Sequence, residues 1–383
     1  MQKQKKWWFW NGFFLLTWWV IWAWFFTLPL AIHSAWIISS IFIICGVWIL
    51  VTIMHLILWE ISLSLPGHKT FVWMARSLFP HRLAQATQYI NIINNMIWII
   101  AYIILWWSFL QILLWLCHIT IHPIRSMFIY VVIVWYFWAI SIKALNKRDA
   151  IIVIVLLAWI WLIIWGSWII WWNVFSPTSS FLQNFKVYWI TLFALSSINA
   201  IPLLYHTTWS SAIKMREVII SSWFTVTIIA ILFSLAIISI TWNNISSDSI
   251  YWLFNSWYNI LAFIWCIVWL TAMISSHIPI LEHLKEVFSR DISLSPLASR
   301  IVVTLLPFII ILYFDIWIVS LLGIAWSLLG WILFILVCLL NIYLHTSQQK
   351  VTIIPMIKFD YMWSRILCVL CSLWVLYQIL SFY

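Results

Sequence analysis

The amino-acid sequence predicts an all-α polytopic membrane protein with about 11 transmembrane helices, the N-terminus inside and the C-terminus outside. Three observations carry this. Of 383 residues, 66% are hydrophobic and only 7% are charged, against about a quarter charged in an average soluble domain. Six glycines and ten prolines leave few breakers, so the apolar runs read as long regular helices rather than barrel strands. The basic residues fall between the runs, which gives them a topogenic role. They do not form the aromatic-interleaved patch that nucleic acid would need, despite a net charge of +10.

Runs able to cross ~30 Å of hydrocarbon need about 20 residues each. They fall at 7–28, 31–58, 90–116, 126–145, 150–172, 187–206, 218–242, 257–280, 300–321, 323–344 and 360–382. The first run lacks the short apolar core and small-residue cleavage site of a signal peptide, so it is expected to stay as a span. The ninth and tenth share one apolar stretch in which Asp315 and Gly323 are the punctuation. Residues 62–88 mix His68, Lys69, Arg76, His81 and Arg82 with apolar side chains and read as an interfacial amphipathic piece. With the N-terminus inside, 16 of the 19 basic residues lie in inner segments. Arg125 and Lys186 lie outside and Arg365 lies within the last span. One missed helix would scramble this alternation, so it supports the count and the orientation. No repeat of 20–50 residues and no linker divides the chain, which is expected to be a single transmembrane domain, 1–383.

Segment 117–206 is expected to form the functional region on the outer face. There a run ending in Trp165, Gly166, Trp168, Trp171 and Trp172 breaks into Asn173, Ser176, Pro177 and Thr178. Helical spacing puts Trp165, Trp168 and Trp171 or Trp172 on one face, and Pro177 turns the chain. An interfacial tryptophan belt explains the same residues in a chain with 36 Trp. Histidines near hydrocarbon invite the question of a ligand role, because ionisable groups there are costly. A neutral imidazole can ligate haem iron, and two from different helices can clamp a haem between them. His118 and His122 stand at i and i+4 without a nearby third ligand, which argues against zinc or copper. His206, His277, His283 and His345 lie toward the inner ends of their spans. Of the six cysteines, Cys368 and Cys371 stand three apart within a span, where packing is the expected role. No phosphate-cradling glycine loop, HExxH or GxSxG occurs, which removes ATPase, zinc-protease and serine-hydrolase readings.

Three pieces in order resemble the CcmF family of cytochrome c haem lyases. Ile121-His122-Pro123 is similar to the family's outer histidine segment, Trp165-Gly166-Ser167-Trp168 with Trp171 to its tryptophan-rich signature, and Ser179-Ser180-Phe181 to that signature's end. His206-Thr207 resembles its b-haem histidine, and Ser293 to Pro296, with Arg300 and Pro307, the entry to its last spans. Trp172, or Asn173 in a shifted register, stands where the signature has Asp, no outer histidine follows in 243–256, and Arg365 stands where the second b-haem ligand is expected. The resemblance implies cytochrome c maturation by a haem lyase of the holocytochrome c synthase type. The tryptophan surface would stack on a transient substrate haem held by His122, presenting it for thioether attachment to apocytochrome c. It further implies a haem b on His206 with His277 or His345 as partner, so His122 and His206 are the expected haem-iron ligands. Apocytochrome c, haem-delivery proteins, other membrane subunits and membrane lipid are the expected partners, and nucleic acid is not.

The alternative is a structural or proton-path subunit of a respiratory-chain or ATP synthase complex, which predicts no haem. A transporter would want glycine- or proline-broken spans, and the scarcity of breakers counts against it. High Trp and Ile with low Gly resembles an organelle-encoded chain. The mitochondrial inner membrane is therefore the favoured address, with a bacterial inner membrane the other.

Overall fold

In the computed structural model the described residues are 9–17 apart from 11, 28–65 apart from 36, 70–140 apart from 117, scattered positions between 154 and 201, and 212–241, 259–314, 318–346 and 361–381. The chain is an all-α polytopic membrane protein. Among the described residues the helices with defined bounds are α1 (Leu28–Ser34), α2 (Ile37–Ser64), α3 (Phe71–Leu78), α4 (His81–Leu116), α5 (Pro123–Ile140), α6 (Ala212–Thr241), α7 (Asn259–Glu286), α8 (Pro296–Phe314), α9 (Ile318–Thr346) and α10 (Tyr361–Ser381). Five stretches among the described residues are long and apolar enough to cross a membrane, within α2, α4, α6, α8 and α9. Large apolar side chains stand open on the outside, Phe42 at 75% and Tyr313 at 82% exposure among them. That surface requires lipid as its solvent.

Local chemistry sets the boundaries. Thr70 caps α3 by accepting from the Trp73 amide at 3.2 Å, and Phe71, Val72, Met74 and Ala75 bury one face of that short helix. Pro80 then holds Phe79 extended, and α4 starts at His81, nine residues ahead of the expected span. At 36 residues α4 is about 54 Å long, so its polar first turns project past the hydrocarbon. It ends in a Schellman turn: His118 takes φ 55, with its amide on the Trp115 carbonyl and the Ile119 amide on Leu114. Pro123 opens α5, where a missing N–H costs nothing. Ser295 caps α8 ahead of Pro296. Gly323, expected to punctuate the ninth and tenth spans, lies inside α9; Asp315 lies outside the described residues. The first boundary also moves, since α1 begins where the first span was expected to end.

Two sets of helices form. One packs α2 against α1 and α6; the other packs α4, α5, α7 and α8 together. Helix α9 lies against both α2 and α4 and carries α10 on its side. Within α2 the final turns are closed in on every side, with Met54 to Ile61 buried without interruption. Proline enters the interior of α7 at Pro279 and of α8 at Pro307. Helix α7 ends in a π-turn, Val287–Asp291.

Candidate functional site

The α4–α7 seam carries buried polar side chains that an apolar scaffold would not need. Helix α4 places Gln88, Asn91 and Asn95 along one stripe, all buried. The Asn91 Oδ1 accepts from Asn95 Nδ2 at 3.2 Å and from His283 Nε2 at 3.0 Å, and Asn95 Nδ2 also donates to the Asn91 carbonyl at 2.7 Å. The donors converging on one amide oxygen fix His283 as the Nε2–H tautomer. At the mouth of this seam Arg76 of α3 donates to Gln88 at 2.8 Å and to the Asp291 carbonyl at 3.1 Å, and pairs with the Asp291 carboxylate at 2.7 Å. One guanidinium thus ties α3, α4 and the π-turn together.

Deeper in, aromatic side chains enclose His277. Its Nδ1 meets the Tyr130 hydroxyl of α5 at 2.8 Å, Tyr102 of α4 stacks on it at 5.5 Å and 24°, and Trp106 stacks on Tyr130 at 4.9 Å and 26°. The Nε2 of His277 has no hydrogen-bond partner. On the far side of α7, Glu282 accepts from Trp138 of α5 at 2.8 Å and pairs with Lys285. Arg300 of α8 lies over the same indole at 5.4 Å. These bonds tie α4, α5, α7 and α8 together along a polar seam. A second polar contact joins the other set: Glu60 of α2 faces His345 of α9 at 4.0 Å.

Those expected site residues that are described have the following surroundings. His122 is exposed at the start of α5, at the end of the bundle opposite His345. Trp165 is 72% exposed, and Ser167 beside it is buried with its hydroxyl on the Ile164 carbonyl. Gly166, Trp168, Trp171, Trp172 and His206 lie outside the described residues. His277 is engaged with Tyr130 of α5, and His345 with Asn341 and Glu60. Among the described residues no group of three His, Cys, Asp or Glu side chains is arranged to hold a metal ion. The sequence reading missed Glu60, Asn91, Asn95, Tyr102 and Tyr130. Of these, the Asn91/Asn95 spacing of four inside an apolar run was the signal available.

No family model matches the chain, and no curated protein matches it in sequence. Solved structures do. The chain is similar to Mhp1, a nucleobase-cation-symport-1 family transporter, in a closed conformation with bromovinylhydantoin bound: TM-score 0.67, 12% identity, over 95% of this chain and 92% of that one. It is similar to MhsT in complex with L-phenylalanine: TM-score 0.67, 13% identity, over 97% and 98%. It is also similar to the inward-facing conformation of Mhp1: TM-score 0.60, 13% identity, over 86% and 76%. Likeness of this extent shows a shared fold, and it overturns the resemblance to the CcmF family. With it go the expectations of cytochrome c maturation, of a haem lyase and of haem-delivery partners, and the respiratory-chain or ATP synthase subunit gains no support either. The short motifs misled because a tryptophan-rich chain meets a tryptophan signature by composition.

Proposed function

We propose that the protein is a membrane transporter for a small organic solute and not an enzyme. In this reading the block of α4, α5, α7 and α8 is a static frame, and the set of α1, α2 and α6 moves against it to expose a solute to each side in turn. The observation that carries the reading is the similarity to transporter structures over 92–98% of their chains, combined with a buried polar seam in α4 and α7. Both solved structures hold a molecule that joins an apolar group to hydrogen-bonding groups. Here Asn91, Asn95 and His283 offer the donors and acceptors for such a solute, and Tyr102 an aromatic wall. The whole chain, 1–383, acts as one unit with eleven spans, the N-terminus inside and the C-terminus outside. The segregation of basic residues supports that topology, and it makes the end bearing Arg76, Lys285, Arg290 and Arg300 the inner one. The mitochondrial inner membrane stays the favoured address on composition alone, ahead of a bacterial inner membrane.

The test is uptake into proteoliposomes of labelled L-amino acids and nucleobases, with Asn91→Leu and His283→Phe as variants. Saturable uptake by the wild type, reduced about tenfold or more by each variant, is the expected result; a tenfold loss corresponds to ~1.4 kcal/mol of solute stabilisation. Uptake that both variants leave intact would remove the seam from the solute path.

A further inference from the structure

Away from the seam, the corner where α5, α7 and α8 meet holds more positive than negative charge. Of the carboxylates on α7 and its π-turn, Glu282 pairs with Lys285, Glu286 with Arg290 at 3.6 Å and Asp291 with Arg76. Among the described residues none is within ion-pair distance of Arg300 on α8. The Arg300 guanidinium lies over the Trp138 ring at 5.4 Å, and Lys285 Nζ stands 6.0 Å from the same ring. Glu282 already accepts from Trp138 Nε1 at 2.8 Å and from Lys285. Two cations and one carboxylate thus surround a buried indole. A guanidinium partly withdrawn from water is costly until an anion meets it, and an aromatic face offsets only part of that cost.

We propose that Arg300 holds the phosphate of an anionic membrane phospholipid, with Trp138 as the floor of the head-group site and Lys285 adding positive field. Depth supports it. Helix α8 begins at Pro296, so Arg300 stands about 6 Å along the helix from its first residue. Trp135 and Tyr136, exposed near the end of α5 that carries Trp138, are side chains of the kind that gather at head-group level. An apolar track leads away from the charge. Leu297, Ile301, Leu305, Ile309 and Leu312 of α8 are all exposed, and their spacings of four and three put them on one stripe. Arg300 stands one position off that stripe, so a phosphate on it leaves the acyl chains lying along α8.

Charge selects the head group. Arg300 is part-exposed while its Nε is covered and has no hydrogen-bond partner, which leaves the terminal nitrogens of the fork for phosphate oxygens. An anionic lipid brings a negative charge to a corner with a net positive one. A zwitterionic lipid brings an ammonium as well, which Arg300 and Lys285 repel. Free phosphate offers the same oxygens but makes no use of the apolar stripe. The occupant that satisfies both the charge and the stripe is a lipid with a net negative head group.

The test needs no solute. The delipidated full chain in detergent is titrated with dioleoyl phosphatidylglycerol or dioleoyl phosphatidylcholine, and bound lipids are counted by native mass spectrometry. Phosphatidylglycerol is expected to bind about fivefold or more tightly than phosphatidylcholine. Arg300→Gln should weaken phosphatidylglycerol about fivefold, the share of one cation at a lipid surface. Glu282→Gln keeps an acceptor for Trp138 and releases Lys285, so it should tighten phosphatidylglycerol by a similar factor. Opposite signs from the two variants distinguish a head-group site from altered packing. Equal binding of the two lipids overturns the site, as does phosphatidylglycerol affinity that Arg300→Gln leaves unchanged. If Arg300→Gln does not fold, Glu282→Gln decides alone, and a failure to tighten overturns the site. Repeating the titration in millimolar inorganic phosphate, against chloride at equal ionic strength, separates the two sources of phosphate. Unchanged lipid binding is expected, and displacement by phosphate alone overturns the lipid as occupant.

Discussion

Tyr130 and His277 show what a single hydroxyl contributes where no water replaces it. Their 2.8 Å bond joins α5 to α7, and the other imidazole nitrogen already lacks a partner. Tyr130→Phe leaves both nitrogens unsatisfied, so a loss of about 1 kcal/mol is expected, measurable as a lowered melting temperature in detergent. Arg76 and Asp291 behave differently, because the guanidinium is 38% exposed. A double-mutant cycle of Arg76→Ala with Asp291→Ala should give a coupling of only about 0.5–1 kcal/mol, shrinking with salt. At this scale the sequence was least informative. His345 and His277 could be picked out as histidines near hydrocarbon, but the partners that give them meaning, Glu60 and Tyr130, lie 285 and 147 positions away along the chain. No spacing rule reaches that far. Glu60 was further concealed because it lies just past the expected end of its span, where a carboxylate looks solvated; α2 continues to Ser64 and encloses it.

Helices were the most legible part, since hydropathy reports length directly. The spans expected at 218–242, 257–280 and 360–382 correspond to α6, α7 and α10 with ends displaced by up to six residues. Errors concentrated where composition gives no sign of a boundary. Helix α4 begins nine residues early because its first turns are polar and project past the hydrocarbon, which a hydropathy window cannot include. Gly323 was expected to punctuate the apolar stretch, yet it lies inside α9, since a lone glycine is tolerated within a helix. One interhelical bond offers a test. Asn341 of α9 donates to Ser364 of α10 at 2.7 Å, both buried, so Ser364→Ala should loosen that pair. The expected cost is about 0.6–1 kcal/mol, read as faster amide exchange in α10, with transport little changed because α10 packs on the side of α9.

For the molecule as a whole, composition and charge placement gave the class, and function was misread. Membrane scaffolds and transporters obey the same hydrophobic and topogenic rules, so nothing in a hydropathy profile separates them. The transporter reading leans on a polar seam assembled from α4 and α7, whose asparagines and histidine come together only in three dimensions. The proposed orientation has its own check: a tag at the N-terminus should be protected from protease in sealed vesicles that retain the native outward face, and a C-terminal tag should be cleaved. The most direct measurement of the central claim makes no guess about the solute. Proteoliposomes and protein-free vesicles are incubated with the total small-molecule extract of the host cell, washed, and their contents compared by mass spectrometry. The account predicts at least one solute enriched inside the proteoliposomes, with enrichment that saturates and falls in Asn91→Leu. Identical contents in the two kinds of vesicle would contradict it.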